Sequence, residues 1–381
     1  MPEATRQRVQ VLRWLRGRTL AELADGRRDN ILLMRLVAAF LVVLGHCGLA
    51  GGGRWMFDPI AFVFPNMPAH IVGLVIFFTI SGFLITLSFE RRPHLLRFIR
   101  ARALRLMPAL VVCVIAWAFV LGPLLSEVPI DVYFDPARPD NPFGYARAAI
   151  SLIEPLRLQL PGLFEHNPTP RAVNGPLWTI SYEASLYLWV AVAGVLRLLR
   201  LRWLTSIAIA SLFAWLVLWP MMAGEFVPNR QLARVVQGFF GAGVIACLLR
   251  RYIPVSTPLM VILAIVCFAS RHSVHSLPVL WATIGYFTLW FAYVPSLPGI
   301  PGDADLSYGV YLWAWPIQQA IVQAGVHEPI LLFAIVVPIL VAVGSLSWFL
   351  VERPSLRLKD KRWSPNGRLD DRIAAPLGSS T

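Results

Sequence analysis

Residues 31–50 read ILLMRLVAAFLVVLGHCGLA, an apolar stretch that holds two ionisable side chains, Arg35 and His46. An α-helix of this length spans about 30 Å, the thickness of the hydrocarbon core of a bilayer. Eleven residues make about three helical turns, so Arg35 and His46 share one face and lie roughly 16 Å apart along the axis. Because an ionisable side chain is costly in lipid, this spacing predicts a helix face that contacts protein or a polar cavity. The alternative is that Arg35 snorkels to one membrane interface while His46 lies near the other.

The composition of the whole chain predicts a polytopic membrane protein. Of the 381 residues, 57% are hydrophobic and 14% are charged, and the mean hydropathy is +0.63. Such values are atypical of soluble domains. The net charge of +13 does not indicate a nucleic-acid partner, because the basic residues lie between apolar segments, where the positive-inside rule accounts for them. The four cysteines fall within apolar segments, so neither a disulfide framework nor a metal site is predicted.

The apolar segments predict an all-α fold with about ten transmembrane helices. Each segment is long enough, or nearly so, to cross the hydrocarbon core, although the seventh is short and the ninth contains three glutamines. The predicted spans are 31–50, 71–89, 104–125, 176–196, 203–223, 231–249, 257–271, 277–294, 306–325 and 328–351.

The distribution of arginines predicts the orientation of these spans. Many of the basic residues lie in a cytoplasmic N-terminal segment of residues 1–30, in the loop 90–105, and in a cytoplasmic, partly disordered tail of residues 356–381. The positive-inside rule then places both termini in the cytoplasm. The transmembrane domain between them covers residues 31–355. Within it, residues 126–175 are rich in Pro, Asp and Asn, and we expect them to form an outer loop that caps the bundle.

Three arginines are predicted to gather on the cytoplasmic side. Arg102 and Arg105 open the third span at a spacing of three residues, so they share a helix face, beside Arg35. Guanidinium groups bind phosphates through paired hydrogen bonds, which makes the three arginines a candidate site for a phosphate-bearing cytosolic ligand. The alternative is that Arg102 and Arg105 form an ordinary positive loop that contacts lipid headgroups.

His46 and Glu183 are the candidates for acid–base chemistry inside the membrane. Glu183 lies a few residues into the fourth span, at a depth similar to that predicted for His46. A histidine can accept a proton from a hydroxyl nucleophile, and a nearby carboxylate can orient the imidazole. The alternative role for Glu183 is a structural ion pair with an arginine. The histidines His70, His166 and His327 are expected to lie outside the membrane and to be solvated.

The second span ends in Phe77-Phe-Thr-Ile-Ser-Gly-Phe-Leu-Ile85, in which Ser81 precedes Gly82. A pair of small residues in an apolar helix favours close packing against a neighbouring helix. The segment lacks the Gly-x-Ser-x-Gly elbow, so Ser81 is not predicted to be a hydrolase nucleophile.

Taken together, these motifs resemble the acyltransferase-3 family of integral membrane O-acyltransferases. The resemblance extends from about residue 31 to residue 354, with the motifs in family order. One departure is Ala314, since many relatives carry a histidine there in Trp-His-Trp-Pro. The matching motifs are Arg35-x10-His46, the Phe-Phe-x-x-Ser-Gly-Phe-Leu-Ile run, Arg102-x-x-Arg105-Leu-x-Pro108, Leu177-Trp-Thr-Ile-Ser-Tyr-Glu183, Leu306-Ser-Tyr-Gly-Val-Tyr-Leu-Trp313 and Val351-Glu-Arg-Pro354.

The resemblance implies an integral protein of the bacterial inner membrane that moves an acyl group from acyl-CoA to a saccharide. The donor, usually acetyl-CoA, would enter from the cytoplasm as a co-substrate and not as a permanently bound cofactor. The acceptor would be a hydroxyl of an exported or cell-envelope saccharide or glycolipid. Arg102 and Arg105 would bind the CoA phosphates, and Arg35 would help to hold the donor. His46 would act as general base on the acceptor hydroxyl, and Glu183 would orient its imidazole or bind the acceptor.

An acyl transfer also needs a hydrogen-bond donor that stabilises the oxyanion formed at the thioester carbonyl. The candidates for this contact, or for contacts with the substrate, are Ser81, Trp178, Ser181 and Tyr308, and the sequence does not choose among them. A different function also stays open, a transporter or flippase for a glycan or glycolipid. In that case the arginines and Glu183 would be translocation residues, and the substrate would keep its mass.

Overall fold

The structure, a computed structural model, describes residues 17–26, 29–53, 58–64, 67–222, 228–273 and 276–360. These residues form an almost entirely helical bundle, in which two short strands, β1 (Arg18–Thr19) and β2 (Pro254–Val255), pair antiparallel. Most of the predicted N-terminal segment 1–30 and of the predicted tail 356–381 lies outside the described residues.

The helices differ widely in length, and three of the long ones contain a π-helical turn, at Trp117–Leu121, Ala214–Leu218 and Trp348–Glu352. In chain order they are α1 (Leu20–Ala24), α2 (Ile31–Ala50), α3 (Pro59–Val63), α4 (Ala69–Arg91), α5 (Leu95–Leu125), α6 (Ile130–Tyr133), α7 (Pro142–Ser151), α8 (Trp178–Val195), α9 (Arg202–Leu218, continued by Trp219–Met222), α10 (Pro228–Leu248), α11 (Thr257–Ala269), α12 (Ser276–Tyr293), α13 (Ser307–Gln323) and α14 (Pro329–Arg357).

Each of the ten predicted spans coincides with one helix of the bundle. Among the described residues, five helices are long and apolar enough to cross a membrane, namely α2, α4, α5, α10 and α14. The all-helical, membrane-protein character of the chain is therefore confirmed. That α8, α9, α11, α12 and α13 also cross the bilayer, and that both termini are cytoplasmic, stay predictions.

The α5 helix begins earlier than the sequence analysis predicts. It starts at Leu95 and not at residue 104, so the predicted loop 90–105 is reduced to a short turn around Pro93. The His94 imidazole caps the helix by accepting a hydrogen bond of 3.4 Å from the Arg97 amide. The Leu, Arg and Ala residues that follow are strong helix formers, which explains the longer helix. Arg102 and Arg105 are consequently interior residues of a helix.

The α4 helix lies at the centre of the bundle and crosses α10 at very short range. A Cβ atom added to Gly82 of α4 would lie 2.0 Å from the Phe240 carbonyl oxygen of α10. A Cβ atom added to Gly243 of α10 would lie 2.1 Å from the Thr79 carbonyl oxygen of α4. The close packing that the Ser81-Gly82 pair predicts therefore occurs, with glycine on both sides of the crossing.

We expect Gly82→Ala to destabilise the protein by about 1–3 kcal/mol, because the two backbones must separate to admit a methyl group. The measurement is the thermal unfolding temperature of the purified protein in detergent. Gly48→Ala is the matched control, since no atom lies within 4 Å of its added Cβ and alanine favours a helix. If both variants unfold at the wild-type temperature, the α4–α10 crossing is not as close as described.

Residues 126–175 cover one end of the bundle and are fastened to α13. The Asn167 amide donates a hydrogen bond of 2.9 Å to the Gln319 carbonyl oxygen, and the Trp315 indole donates one of 2.7 Å to the Ala172 carbonyl oxygen. The three glutamines of α13 donate to carbonyl oxygens within the protein; Gln318, for example, donates to the Val43 carbonyl oxygen at 2.8 Å. Their amide nitrogens thus find acceptors inside the bundle, whereas the buried side-chain oxygens of Gln318 and Gln323 have no hydrogen-bond partner among the described residues.

Candidate active site

A cavity of about 130 Å³, here called the basic cavity, lies between α4, α5, α8 and α13. Arg35, Arg102 and Arg105 all line it, so the three arginines predicted to gather do so. The other polar side chains in its wall are Ser81, Thr179, Glu183, Tyr187, Ser307, Tyr308, Tyr311 and Lys359.

Two of the three arginines belong to a buried ion-pair network. The Arg105 guanidinium donates to the Asp305 carboxylate at 2.6 Å and to the Glu352 carboxylate at 2.9 Å. Arg35 lies 3.4 Å from the same Asp305 oxygen that accepts from Arg105, and it also donates to the Ser307 hydroxyl at 3.3 Å. The side chains of Arg105, Asp305 and Glu352 are 12%, 9% and 1% exposed. Arg105 therefore fastens α5 to α14 and to the residues that precede α13.

Asp305 shows the electrostatic balance of this network. Its burial disfavours the charged carboxylate, but the guanidiniums of Arg105 and Arg35 outweigh that effect and hold its pKa below the usual range. A lowered pKa means that the carboxylate stabilises the fold at any pH above its unfolded pKa of about 4. That contribution is lost as the pH falls through the lowered pKa of the folded protein.

Arg102 differs from its two neighbours in lacking a carboxylate partner. It forms no ion pair with the described residues, and its buried Nε has no hydrogen-bond partner among them. The guanidinium instead lies over the rings of Phe98 and Tyr187, at 5.8 and 6.0 Å from their centroids. A second cavity of about 110 Å³ shares Arg102 and Lys359 with the basic cavity and adds Arg92 and Arg97. Arg102 is thus the guanidinium best placed to receive an anion.

Glu183 lies in the wall of the basic cavity and not beside His46. The Ser81 hydroxyl donates to its carboxylate at 3.2 Å, and the Tyr187 hydroxyl donates to the same oxygen. The expectation that Glu183 orients the His46 imidazole is not supported, because helix α8 presents Glu183 to Ser81 of α4 and to its own next turn. Sequence depth alone did not reveal this direction.

His46 is buried in α2 between two other rings. Its imidazole stacks on that of His70 at a centroid distance of 5.2 Å, and it meets the Trp315 indole edge-on at 5.1 Å. Its Nδ1 is buried and has no hydrogen-bond partner among the described residues. His46 therefore has a fixed ring plane and a buried ring nitrogen whose hydrogen-bonding capacity the described residues leave unused.

The prediction that His70 is solvated is wrong, since its side chain is only 6% exposed. Helix α4 begins at Ala69, before the predicted start at residue 71, and Asp58 accepts a hydrogen bond of 2.6 Å from the Ala69 amide. Gly45 permits the approach of α4, because a Cβ atom there would lie 2.6 Å from the backbone nitrogen of His70. His70 directly precedes the apolar run that begins at Ile71, so extending the predicted helix to Ala69 would have included it.

The His46 group and the basic cavity are adjacent. Leu74 lies one helical turn after His70, Tyr311 lies one turn before Trp315, and both line the basic cavity. One turn of helix advances about 5.4 Å, so His46 lies just beyond the end of the cavity that Leu74 and Tyr311 line. The rings of Phe77 and Tyr311, 6.2 Å apart, stand at this boundary.

The structure separates the four candidates for substrate or oxyanion contacts. Ser81 and Tyr308 line the basic cavity, whereas Trp178 and Ser181 do not. Ser81 donates to Glu183, and the Tyr308 hydroxyl donates to the Leu106 carbonyl oxygen at 2.8 Å. Both hydroxyl hydrogens are thus already engaged, which makes neither residue a ready oxyanion donor in this arrangement.

Comparisons with known proteins identify the family of the chain. A family model described as an acyltransferase domain matches residues 28–349. An O-acetyl transferase of Shigella phage Sf6 is 29% identical over 352 residues, which cover 88% of this chain and 97% of that protein. Nodulation protein 10 of Rhizobium leguminosarum bv. viciae is 28% identical over 382 residues, covering 89% of this chain and 96% of that protein. No solved structure matches the chain.

Proposed function

The chain belongs to the acyltransferase-3 family of O-acyltransferases, and from that premise we propose that it transfers an acetyl group from cytosolic acetyl-CoA to a hydroxyl of an exported or cell-envelope saccharide. The observation that carries the proposal is that the His46 ring contacts His70 and Trp315, each one helical turn from a residue lining a cavity in which Arg102 has no carboxylate partner among the described residues. The proposed site for an anionic donor and the proposed general base would thus be adjacent in one helical bundle.

The donor end of the proposed site is the basic cavity and its mouth. Coenzyme A carries phosphates at one end and a thiol at the other, so its phosphates need cations near the entrance. Arg102 and Lys359 line both the basic cavity and the neighbouring cavity of about 110 Å³. Arg92 and Arg97 line the neighbouring cavity only. These four cations are our candidates for the phosphates. Arg105, which is paired with two carboxylates, holds the cavity wall in place and does not bind the donor directly.

The thin pantetheine arm would run along the wall formed by Leu74, Phe77 and Tyr311 toward His46. These are mainly apolar side chains, which suit an arm with few charges. Glu183, held by Ser81 and Tyr187, would accept hydrogen bonds from amide N–H groups of this arm. The proposed role of Glu183 is therefore donor positioning.

The chemical step proceeds at His46. An imidazole nitrogen accepts the proton of the acceptor hydroxyl while the hydroxyl oxygen attacks the thioester carbonyl carbon. The C–S bond then breaks, the acetyl group remains on the acceptor oxygen, and the sulfur leaves with the proton that the imidazolium returns. Free CoA and an O-acetylated saccharide are the products.

The test is to incubate the purified protein with acetyl-CoA and envelope glycans and to measure the glycans by mass spectrometry. We expect a mass gain of one acetyl group per modified hydroxyl, together with release of free CoA. Glycans of unchanged mass, with succinyl-CoA and longer acyl-CoA donors also inactive, would contradict the proposal. Movement of unmodified glycan across vesicles containing the protein would then favour a transporter.

His70 is expected to act as a positioning residue through its ring. His70→Ala removes the stacked partner of His46, and we expect kcat to fall about 10- to 100-fold because the base loses its fixed orientation. His70→Phe keeps a stacked ring and should retain most of the activity. The measurements are kcat and the KM for acetyl-CoA. The KM should stay unchanged in both variants. A His70→Phe variant as impaired as His70→Ala would contradict the stacking role.

A further inference from the structure

A third, larger cavity borders the mouth of the proposed acetyl-CoA site, since its lining residues Arg91 and Pro93 are the chain neighbours of Arg92. Its volume is about 760 Å³, and it shares no lining residue with the basic cavity. It opens where α4 ends, beside the end of α8 and the segment that leads into α9. Arginines from separate segments converge on it, namely Arg91, Arg197, Arg200, Arg202 and Arg250. We call it the arginine cavity.

The charges around the arginine cavity do not balance. Arg250 is paired with Glu90 at 2.8 Å, and Arg91 lies 3.5 Å from Asp25. Within the described part of the chain, the other three arginines form no ion pair, and Asp25 and Glu90 are the only acidic residues in the lining. The cavity therefore carries an excess of three positive charges, which suits a phosphate group.

The backbone at this cavity is held in an uncommon conformation. Arg197 has a φ of +61°, in the left-handed region that few residues other than glycine adopt. The short helical turn Leu198–Arg200 follows directly, and both Arg197 and Arg200 line the cavity. Helices often end on a residue in this conformation, and the Arg197 amide donates to the Gly194 carbonyl oxygen at 3.1 Å, so the turn ends α8 and brings two guanidiniums to the same space.

Exposed apolar side chains lie next to the arginine cavity along the chain. Val195, Leu196, Leu201 and Trp203 are each more than half exposed. The Trp203 indole contacts the exposed ring of Tyr252 at a centroid distance of 5.3 Å. Exposed Trp and Tyr pairs are typical of the membrane interface, where the headgroups lie. Cationic and apolar surfaces thus adjoin one another beside the cavity.

We propose that the arginine cavity binds the phosphate headgroup of an anionic phospholipid. Arg197, Arg200 and Arg202 would contact the phosphate, and the acyl chains would lie along Leu196 and Trp203. A soluble phosphate compound offers the same charge, but it would leave the exposed apolar rim uncovered. An ordinary positively charged loop explains single arginines, but not the convergence of arginines from separate segments on one cavity.

The test uses the full-length protein purified in detergent and native mass spectrometry. Phosphatidylglycerol, phosphatidylcholine with the same acyl chains, and soluble glycerol phosphate are titrated separately. The double variant R197Q/R200Q removes two cavity charges, and R353Q/R357Q removes two charges elsewhere on the same side. We expect selective binding of phosphatidylglycerol to the wild type, about thirtyfold weaker in R197Q/R200Q and unchanged in R353Q/R357Q.

Three results would overturn the proposal. Equal affinity of R197Q/R200Q and the wild type for phosphatidylglycerol would remove the arginines from the site. An equal loss in R353Q/R357Q would reduce the effect to general surface charge. Glycerol phosphate binding as tightly as phosphatidylglycerol would make the cavity a site for soluble phosphates. The thermal unfolding temperature of each variant, if equal to that of the wild type, establishes that a loss of binding is not a loss of folding.

Discussion

The His46→Asn variant is expected to lose acetyl transfer by about 10²- to 10⁴-fold in kcat, the range that a general base contributes. Asparagine is smaller than histidine but can place a polar amide between His70 and Trp315, and it cannot accept the proton of a hydroxyl at neutral pH. Because His46 does not line the basic cavity, the affinity for acetyl-CoA should stay at its wild-type value. The measurements are kcat for glycan acetylation and the Kd for CoA.

The pair of readouts separates catalysis from donor binding. A loss of both activity and CoA affinity would mean that His46 shapes the donor site, and a variant with wild-type kcat would remove the base from the mechanism. His327→Asn is a matched control, since His327 does not line the basic cavity and has no ring contact with His46. Its activity should equal that of the wild type.

Arg102 and Arg105 are expected to fail in different ways when each is replaced by glutamine. In Arg102→Gln the KM for acetyl-CoA should rise about 10- to 100-fold, since hydrogen bonds to charged groups contribute about 1.5–3 kcal/mol. Its unfolding temperature should change little, because Arg102 has no carboxylate partner in the described structure. In Arg105→Gln the buried carboxylates of Asp305 and Glu352 lose their cation, and the fold should lose about 3–5 kcal/mol.

A double variant provides the control for the Arg105 prediction. Glu352→Gln in addition to Arg105→Gln removes one of the two uncompensated carboxylates and should recover part of the lost stability. If Arg105→Gln unfolds like the wild type and raises the KM as much as Arg102→Gln, then Arg105 contacts the donor and the separation of roles is wrong.

The helices of this protein could be predicted from the sequence because each is an apolar run bounded by charged or turn-forming residues. Every predicted span coincides with a helix, and the largest boundary errors arose where charged residues continue a helix beyond its apolar part. Leu95 begins α5 inside the arginine-rich segment, and α14 runs on to Arg357. Hydropathy marks the apolar part of a helix and does not mark where the helix itself ends.

The partners of the site residues could not be predicted, because they come from distant parts of the chain. Arg105 contacts Asp305, 200 residues away, and Glu352, 247 residues away. No local spacing reveals such pairs. The sequence therefore suggests equivalent roles for Arg105 and Arg102, although within the described part of the chain Arg105 has carboxylate partners and Arg102 has none. The same limit applies to Glu183, whose depth was estimated from its position in the span while its direction depends on how α8 packs.

The most direct test of the account is the sidedness of the reaction in vesicles that hold the protein in one orientation. Radiolabelled acetyl-CoA is supplied on the side of Arg102 and Lys359, and a glycan acceptor is supplied only on the opposite side. We predict labelled glycan on that opposite side, and none when acetyl-CoA is moved to the acceptor side. If labelled glycan forms only when both substrates are on the same side, the result would contradict the claim that the donor cavity and the base are reached from different faces of the bundle.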